Sequence, residues 1–193
     1  IRNCLNHEGV TQDNRTVTEL GAQVFSACEN LVGFQIFNEP AYPNFGFYDY
    51  NPHSVAAYRR WLVQKCGMIA ADAEKVQPPR RRPTYEEGVQ DWVNWRLFQT
   101  ERMNEYLGSL AECAKQTVRT AETFTCMTCC PVQTGSSMRG TDFFRIAKEM
   151  DIVGITLYLY PLGVSYTELS RVLDYAESAA ACFSKHAWLI EYN

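Results

Sequence analysis

Two glutamates stand directly after apolar, strand-like segments of this sequence. Asn38-Glu39 follows the run Phe34–Phe37, and Glu191 follows the run Ala187–Ile190. A carboxylate at the end of a buried strand costs free energy unless it is paired or used, so each glutamate calls for a partner. We expect the two to work as a pair. One carboxyl group that donates a proton and a second that attacks carbon are what the hydrolysis of a glycosidic bond requires.

Alternating helical and strand-like segments must position these glutamates. Continuous apolar runs predict buried strands near residues 31–37, 123–128, 151–159 and 187–190. Apolar residues at helical spacing predict helices near residues 15–30, 55–66, 91–120, 142–148 and 166–183. The alternation is typical of an α/β fold in which helices cover the faces of a parallel sheet.

A barrel of the (β/α)8 TIM type is the α/β architecture that we expect. A complete barrel takes about 250 residues, and this chain has 193. We therefore expect a single, partial catalytic domain over residues 1–193, with an inserted helical and loop region at about residues 41–120. The carboxyl ends of barrel strands carry the chemistry, which would bring Glu39 and Glu191 to one mouth.

Composition and charge argue against several classes of partner. The net charge is -4 and the pI is about 5.4, which gives no electrostatic footprint for nucleic acid, and prolines flank the one dense basic run, Arg80–Arg82. No apolar stretch reaches the ~18 residues of a membrane span. The eight cysteines form no evenly spaced disulfide framework. This favours a reducing, cytoplasmic location, although secretion stays open.

Longer motifs around Glu39 resemble clan A of the glycoside hydrolases, and within it the family 42 β-galactosidases. These motifs are the Asn-Glu pair with its aromatic loop, then AAYRRWL, then DWVNWRLFQTERMNEY, and then DFFRIAKEMDIVGITLYLYP. They cover most of residues 15–193. The resemblance implies that the four strands are the fourth to seventh of the barrel.

The resemblance also implies roles for particular residues. Glu39 would be the acid/base and Glu191 the nucleophile of a retaining β-galactosidase, or of an enzyme that cleaves related β-glycosides. Asn38 would bind the sugar 2-hydroxyl, and Tyr160 would lie near Glu191. The aromatic side chains that we expect to contact the sugar are Phe45, Tyr48 and Trp188.

No cofactor and no metal are expected. Many family 42 enzymes hold zinc through a Cys-Pro-x-Cys-like pair before the AAF helix, but Asn51-Pro52-His53-Ser54 stands there in this chain. We interpret the Cys126-x-x-Cys129 motif as packed, reduced thiols.

Two other functions remain open at this point. One is a β-glucanase or mannanase of the same clan, because Asn-Glu-Pro alone also suits those enzymes. The other is a catalytically silent carbohydrate-binding barrel, or a fragment that needs missing strands. In each case the expected partner is a carbohydrate. A partial barrel leaves open sheet edges, so a second copy or the missing barrel segments would have to cover them.

Overall fold

The computed structural model describes residues 4–42, 49–81, 83, 87–128, 139–157 and 165–192, with the backbone alone at 128, 191 and 192. Its helices are α1 (Glu8–Phe25), α2 (Pro52–Cys66), α3 (Ala70–Ala73), α4 (Val89–Thr117), α5 (Phe143–Glu149) and α6 (Tyr166–Ala181). Its strands are β1 (Gly33–Asn38), β2 (Glu122–Thr128), β3 (Ile152–Leu157) and β4 (His186–Tyr192). None of the described helices is both long and apolar enough to cross a membrane.

The four strands form one parallel sheet in the order β1-β2-β3-β4. The predicted α/β fold, with strands in chain order and helices between them, is confirmed. Parallel strands end at the same edge, so the residues that follow β1 and close β4 share one side of the molecule. That edge is the carboxyl-terminal edge, where a barrel of this type carries its chemistry.

Side chains on the two faces of the sheet have different surroundings. Val153, Ile155 and Leu157 of β3 point towards the helices and are fully buried in the core with residues of α4, α5 and α6. The other face carries Phe124, whose ring centre lies 6.5 Å from that of Trp188. This second face would be the inside of a closed barrel.

An aromatic cluster attaches the segment after β1 to α4. Trp95 is fully buried, and its ring centre lies 4.8 Å from Tyr58 of α2, 5.4 Å from Phe98 and 5.5 Å from Tyr50. Such ring pairs contribute about 0.5 to 1.5 kcal/mol each beyond the area they bury. The segment from Tyr50 to α2 is therefore packed firmly on α4, the helix that leads into β2.

The amino-terminal edge of the sheet is held by Asp151. Its carboxylate accepts hydrogen bonds from Lys115 at 2.6 Å, from the Thr123 amide at 3.0 Å and hydroxyl at 2.9 Å, and from Lys185 at 3.4 Å. Burial alone would raise the pKa of Asp151, but the bonds from Lys115 and Thr123 outweigh it and lower the pKa to about 2. This carboxylate ties α4, β2 and β4 to the start of β3.

Helix α1 differs from the prediction in its start, and its apolar stripe is not buried. It begins at Glu8 rather than near residue 15, because His7 caps its first turn by accepting from the Val10 amide. Contact with α4 is made elsewhere on the helix, for example where the Cys113 thiol donates to the Arg15 carbonyl at 3.4 Å. The apolar stripe of α1 is consequently exposed, at Val17, Leu20, Val24 and Phe25.

Candidate functional site

The candidate site lies at the carboxyl-terminal edge of the sheet, beginning with Glu39. This residue directly follows β1 and has a φ of 46°, in the left-handed region that non-glycine residues seldom adopt. Its amide donates to the Cys126 carbonyl of β2 at 2.8 Å. The backbone therefore turns sharply at Glu39 while it is still hydrogen-bonded to the neighbouring strand. This fixes the position of the Glu39 backbone, to which the carboxylate side chain is attached.

Arg139 is the cation beside Glu39. Its guanidinium Nη1 lies 3.8 Å from Glu39 Oε2, and 18% and 31% of the two side chains are exposed. The Arg139 carbonyl accepts from the amide of Tyr42, a buried residue whose hydroxyl donates to the Gln99 carbonyl at 3.0 Å. Tyr42 thus connects the segment after Glu39 both to the backbone of Arg139 and to α4.

Asn38 closes β1 beside a shallow open depression that is lined by Gln35, Ile36, Phe37 and Asn38 itself. Its Oδ1 accepts a hydrogen bond from Gln35 Nε2 at 2.9 Å, and the side chain is exposed. This bond orients the amide through its oxygen. The amide nitrogen can then donate to a hydroxyl group of a ligand.

The backbone of Glu191 lies at the same edge, on β4. Asn38, Cys126, Gly154 and Trp188 form one row of paired residues across the sheet. A register shift between Ile155 and Thr156 pairs Glu191 with Thr156, beyond that row towards the strand ends. The two glutamates therefore belong to strands that stand at opposite sides of the four-stranded sheet and end in the same direction.

Trp188 is the predicted sugar-contacting aromatic residue that lies within the described part of the chain. Its side chain is 40% exposed on the sheet face opposite the helices, beside Phe124. The side chain of Glu191, and Phe45, Tyr48 and Tyr160 entirely, lie outside the described residues. Asn38, Glu39, Trp188 and the backbone of Glu191 thus lie on, or directly after, strands of one parallel sheet, with Glu39 and Glu191 at its carboxyl-terminal edge, and their roles stay predictions.

Arg139 was missed by the sequence analysis. It lies 100 positions from Glu39 along the chain, so no periodicity connects the two. The one available sign is a basic residue shortly before Asp142, which caps α5 by accepting from the amides of Phe144 and Arg145. A basic residue in the connection between a strand of the sheet and the next helix is a candidate for the site at the strand ends.

Comparison with known families decides the relationship. The model of glycoside hydrolase family 42, described as β-galactosidase, matches residues 2–192. The chain belongs to this family. A search of curated proteins gives no match.

Solved structures agree with the family 42 fold. The β-galactosidase from the Antarctic haloarchaeon Halorubrum lacusprofundi superposes with a TM-score of 0.75 at 13% identity, covering 98% of this chain and 31% of that one. The β-galactosidase from Bacillus circulans sp. alkalophilus gives 0.73 at 16% identity, with 92% and 27% covered. An exo-carrageenase of family 42 from Bacteroides ovatus gives 0.60 at 15% identity, with 78% and 23% covered.

This chain is short beside such enzymes. It spans 24% to 32% of the chain length in six β-galactosidase structures that resemble it, two of which are of the same enzyme. Their fold confirms a partial TIM barrel. The described residues form four parallel strands of it.

Proposed function

We propose that this chain supplies the two catalytic carboxyl groups of a retaining β-glycosidase that acts on terminal β-galactosides. Glu39 would be the acid/base and Glu191 the nucleophile. The observation that carries the proposal is that both residues end parallel strands of one family 42 sheet, at its carboxyl-terminal edge. Glycoside hydrolysis with retention needs such a pair of carboxyl groups about 5 to 5.5 Å apart.

The first chemical step would form a glycosyl-enzyme ester. Glu191 attacks the anomeric carbon while Glu39 gives its proton to the glycosidic oxygen, so the bond to the departing alcohol breaks as the ester bond forms. In the second step Glu39, now ionised, takes a proton from water. The resulting hydroxyl adds to the anomeric carbon, the ester breaks, and both carboxyl groups regain their starting states.

The remaining residues of the site would bind the sugar. Asn38 is suited to hydrogen-bond the 2-hydroxyl, because Gln35 holds its amide by the oxygen at 2.9 Å and leaves the nitrogen as donor. That bond would strengthen as positive charge develops on the sugar ring. Trp188 offers an exposed ring for stacking, and Tyr160 would support Glu191, with Phe45 and Tyr48 completing the aromatic wall.

Arg139 gives Glu39 a defined position in this scheme. It stands 3.8 Å from the carboxylate, and its backbone is bonded to Tyr42, which follows Glu39 by three residues. An ion pair at this distance would restrict the positions that the Glu39 carboxylate can take, and proton transfer depends on that position. Arg139 would thus act through Glu39 rather than on the sugar.

Substitution of each glutamate by glutamine tests the proposal in the protein that carries this chain. Glu39→Gln should lower kcat/KM for an alkyl galactoside by about 10² to 10⁴, since general acid catalysis supplies about that much. An activated dinitrophenyl galactoside needs little acid assistance and should lose far less. Glu191→Gln should stop turnover of both substrates, and Glu19→Gln, at an exposed position on α1, is the matched control.

The substrate class rests on the family and is tested separately. The family 42 neighbour from Bacteroides ovatus is an exo-carrageenase, so a panel should contain galactosides, carrageenan oligosaccharides, glucans and mannans. Preferential cleavage of galactosides supports the proposal. Cleavage confined to glucan or mannan would assign another specificity of the clan, and binding without cleavage would favour a silent carbohydrate-binding barrel.

A further inference from the structure

A buried hydroxyl joins three separate segments of the chain: the segment before α1, the loop before α2, and α2 itself. Ser54 is fully buried in the first turn of α2. Its hydroxyl lies 2.6 Å from Asp49 Oδ2, 2.8 Å from Asn6 Nδ2 and 3.3 Å from Cys4 Sγ. We call these four residues, Cys4, Asn6, Asp49 and Ser54, the Ser54 cluster.

The hydrogen-bonding capacity of the Ser54 hydroxyl is completely used. A hydroxyl has one proton to donate and two lone pairs to accept with. The proton goes to the Asp49 carboxylate, which can only accept, and one lone pair takes the Asn6 amide. The contact with Cys4 is then one in which the thiol donates to the second lone pair.

The cluster extends to two helices through its outer members. Asn6 Oδ1 accepts from Arg102 Nε of α4 at 3.0 Å. Asp49 Oδ1 accepts from the Asn51 amide at 2.9 Å, and Asn51 in turn caps α2 by accepting from the His53 amide at 3.1 Å. The segment before α1, the loop before α2 and both helices are therefore linked.

The same place is where the resemblance to family 42 implies a zinc site. Structural zinc takes four ligands in a tetrahedron, from thiolate, imidazole and carboxylate groups. The two thiolates of the Cys-Pro-x-Cys-like pair are replaced by Asn51, whose side-chain oxygen is used by the helix cap, and by the fully bonded Ser54. Across the described residues, no group of three or more His, Cys, Asp or Glu side chains is placed to hold a metal ion. These residues do not fit zinc.

We propose that in this chain the Ser54 cluster takes the place of the zinc site as the link between the amino-terminal segment, the loop before α2, and α2. The link is metal-independent. It depends on one buried hydroxyl and the three side chains around it. Removing that hydroxyl takes a hydrogen-bond partner from the half-buried Asn6 amide and Asp49 carboxylate, which costs free energy.

The test combines metal content with thermal unfolding of the protein that carries this chain. Wild-type protein purified without chelator should contain well under one zinc per chain, and its Tm should be unchanged by EDTA or by added Zn²⁺. Ser54→Ala should lower the Tm by about 4 °C or more. Ser109→Ala is the matched control, because the Ser109 hydroxyl donates to the Tyr106 carbonyl within its own helix.

One zinc bound per chain, or a Tm that falls when EDTA is added, would overturn the proposal. A Ser54→Ala variant with the same Tm as Ser109→Ala would also overturn it. If Ser54→Ala does not fold, Asp49→Asn serves instead. It keeps the shape of the side chain but weakens the bond from Ser54, so a smaller decrease in Tm is expected. A decrease no larger than that of the Ser109 control would again contradict the link.

Discussion

Replacing Asp151 by Asn tests whether the amino-terminal edge of the sheet is held electrostatically. Asparagine keeps the size of the side chain and an oxygen for the Thr123 amide, but it removes the charge that faces Lys115 at 2.6 Å and Lys185 at 3.4 Å. A pKa lowered from 3.8 to about 2 corresponds to about 2 kcal/mol of folding stability. The Asp151 side chain is 20% exposed, so solvent screens this interaction only in part.

The expected decrease in Tm at pH 7 is about 4 to 8 °C for a chain of this size. The pKa of Asp151 is lower in the folded state than in the unfolded state, so its contribution is present above about pH 4. It is lost as the pH falls towards 2, and the melting curves of wild type and variant should converge there. Asp174→Asn, at an exposed position on α6, is the control. A variant as stable as wild type at pH 7, or a gap that persists unchanged at pH 2, would refute the reasoning.

Three further substitutions, with a control at Gly21, separate catalysis, binding and packing. Arg139→Met should lower kcat about 10-fold for an alkyl galactoside and less for an activated aryl galactoside, because it disturbs the placement of Glu39; equal losses on both would contradict that role. Trp188→Ala should raise KM about fivefold, since stacking contributes about 1 kcal/mol, and an unchanged KM would remove Trp188 from the site. Gly154→Ala should destabilise the fold by about 1 to 3 kcal/mol in urea unfolding, because its Cβ would lie 2.6 Å from the Thr125 carbonyl oxygen. Gly21→Ala, where a Cβ meets nothing within 4 Å, should instead be neutral or stabilising, and similar losses at both glycines would be inconsistent with the close strand packing.

The arrangement of strands and helices could be predicted because it depends on local patterns. The apolar run that ends at Asn38 and the run before Glu191 both form strands of the parallel sheet. The helix predicted near residues 55–66 ends at Cys66, and Gly67, a residue type that favours helix ends, follows it with a φ of 67°. Such signals lie within a few residues of the structure that they specify.

The features that escaped prediction depend on contacts between distant parts of the chain. The Cys4 thiol meets Ser54 50 positions away, and Arg139 meets Glu39 across 100 positions. The apolar stripe of α1 shows a second limit of sequence-based prediction. Helical spacing indicates which residues share a face, but it does not indicate what covers that face. Val24 shares that stripe and is 72% exposed, since α4 packs elsewhere on α1.

The central claim, that Glu191 attacks the sugar and Glu39 protonates the leaving group, is tested most directly by trapping the glycosyl-enzyme. The protein that carries this chain would be treated with an activated 2-deoxy-2-fluorogalactoside, digested, and searched by mass spectrometry for the sugar-bearing peptide. The proposal predicts one fluorosugar per chain, esterified to Glu191, with labelling greatly slowed by Glu191→Gln. A label on another carboxylate, or turnover of galactosides with inversion and no trapped ester, would contradict it.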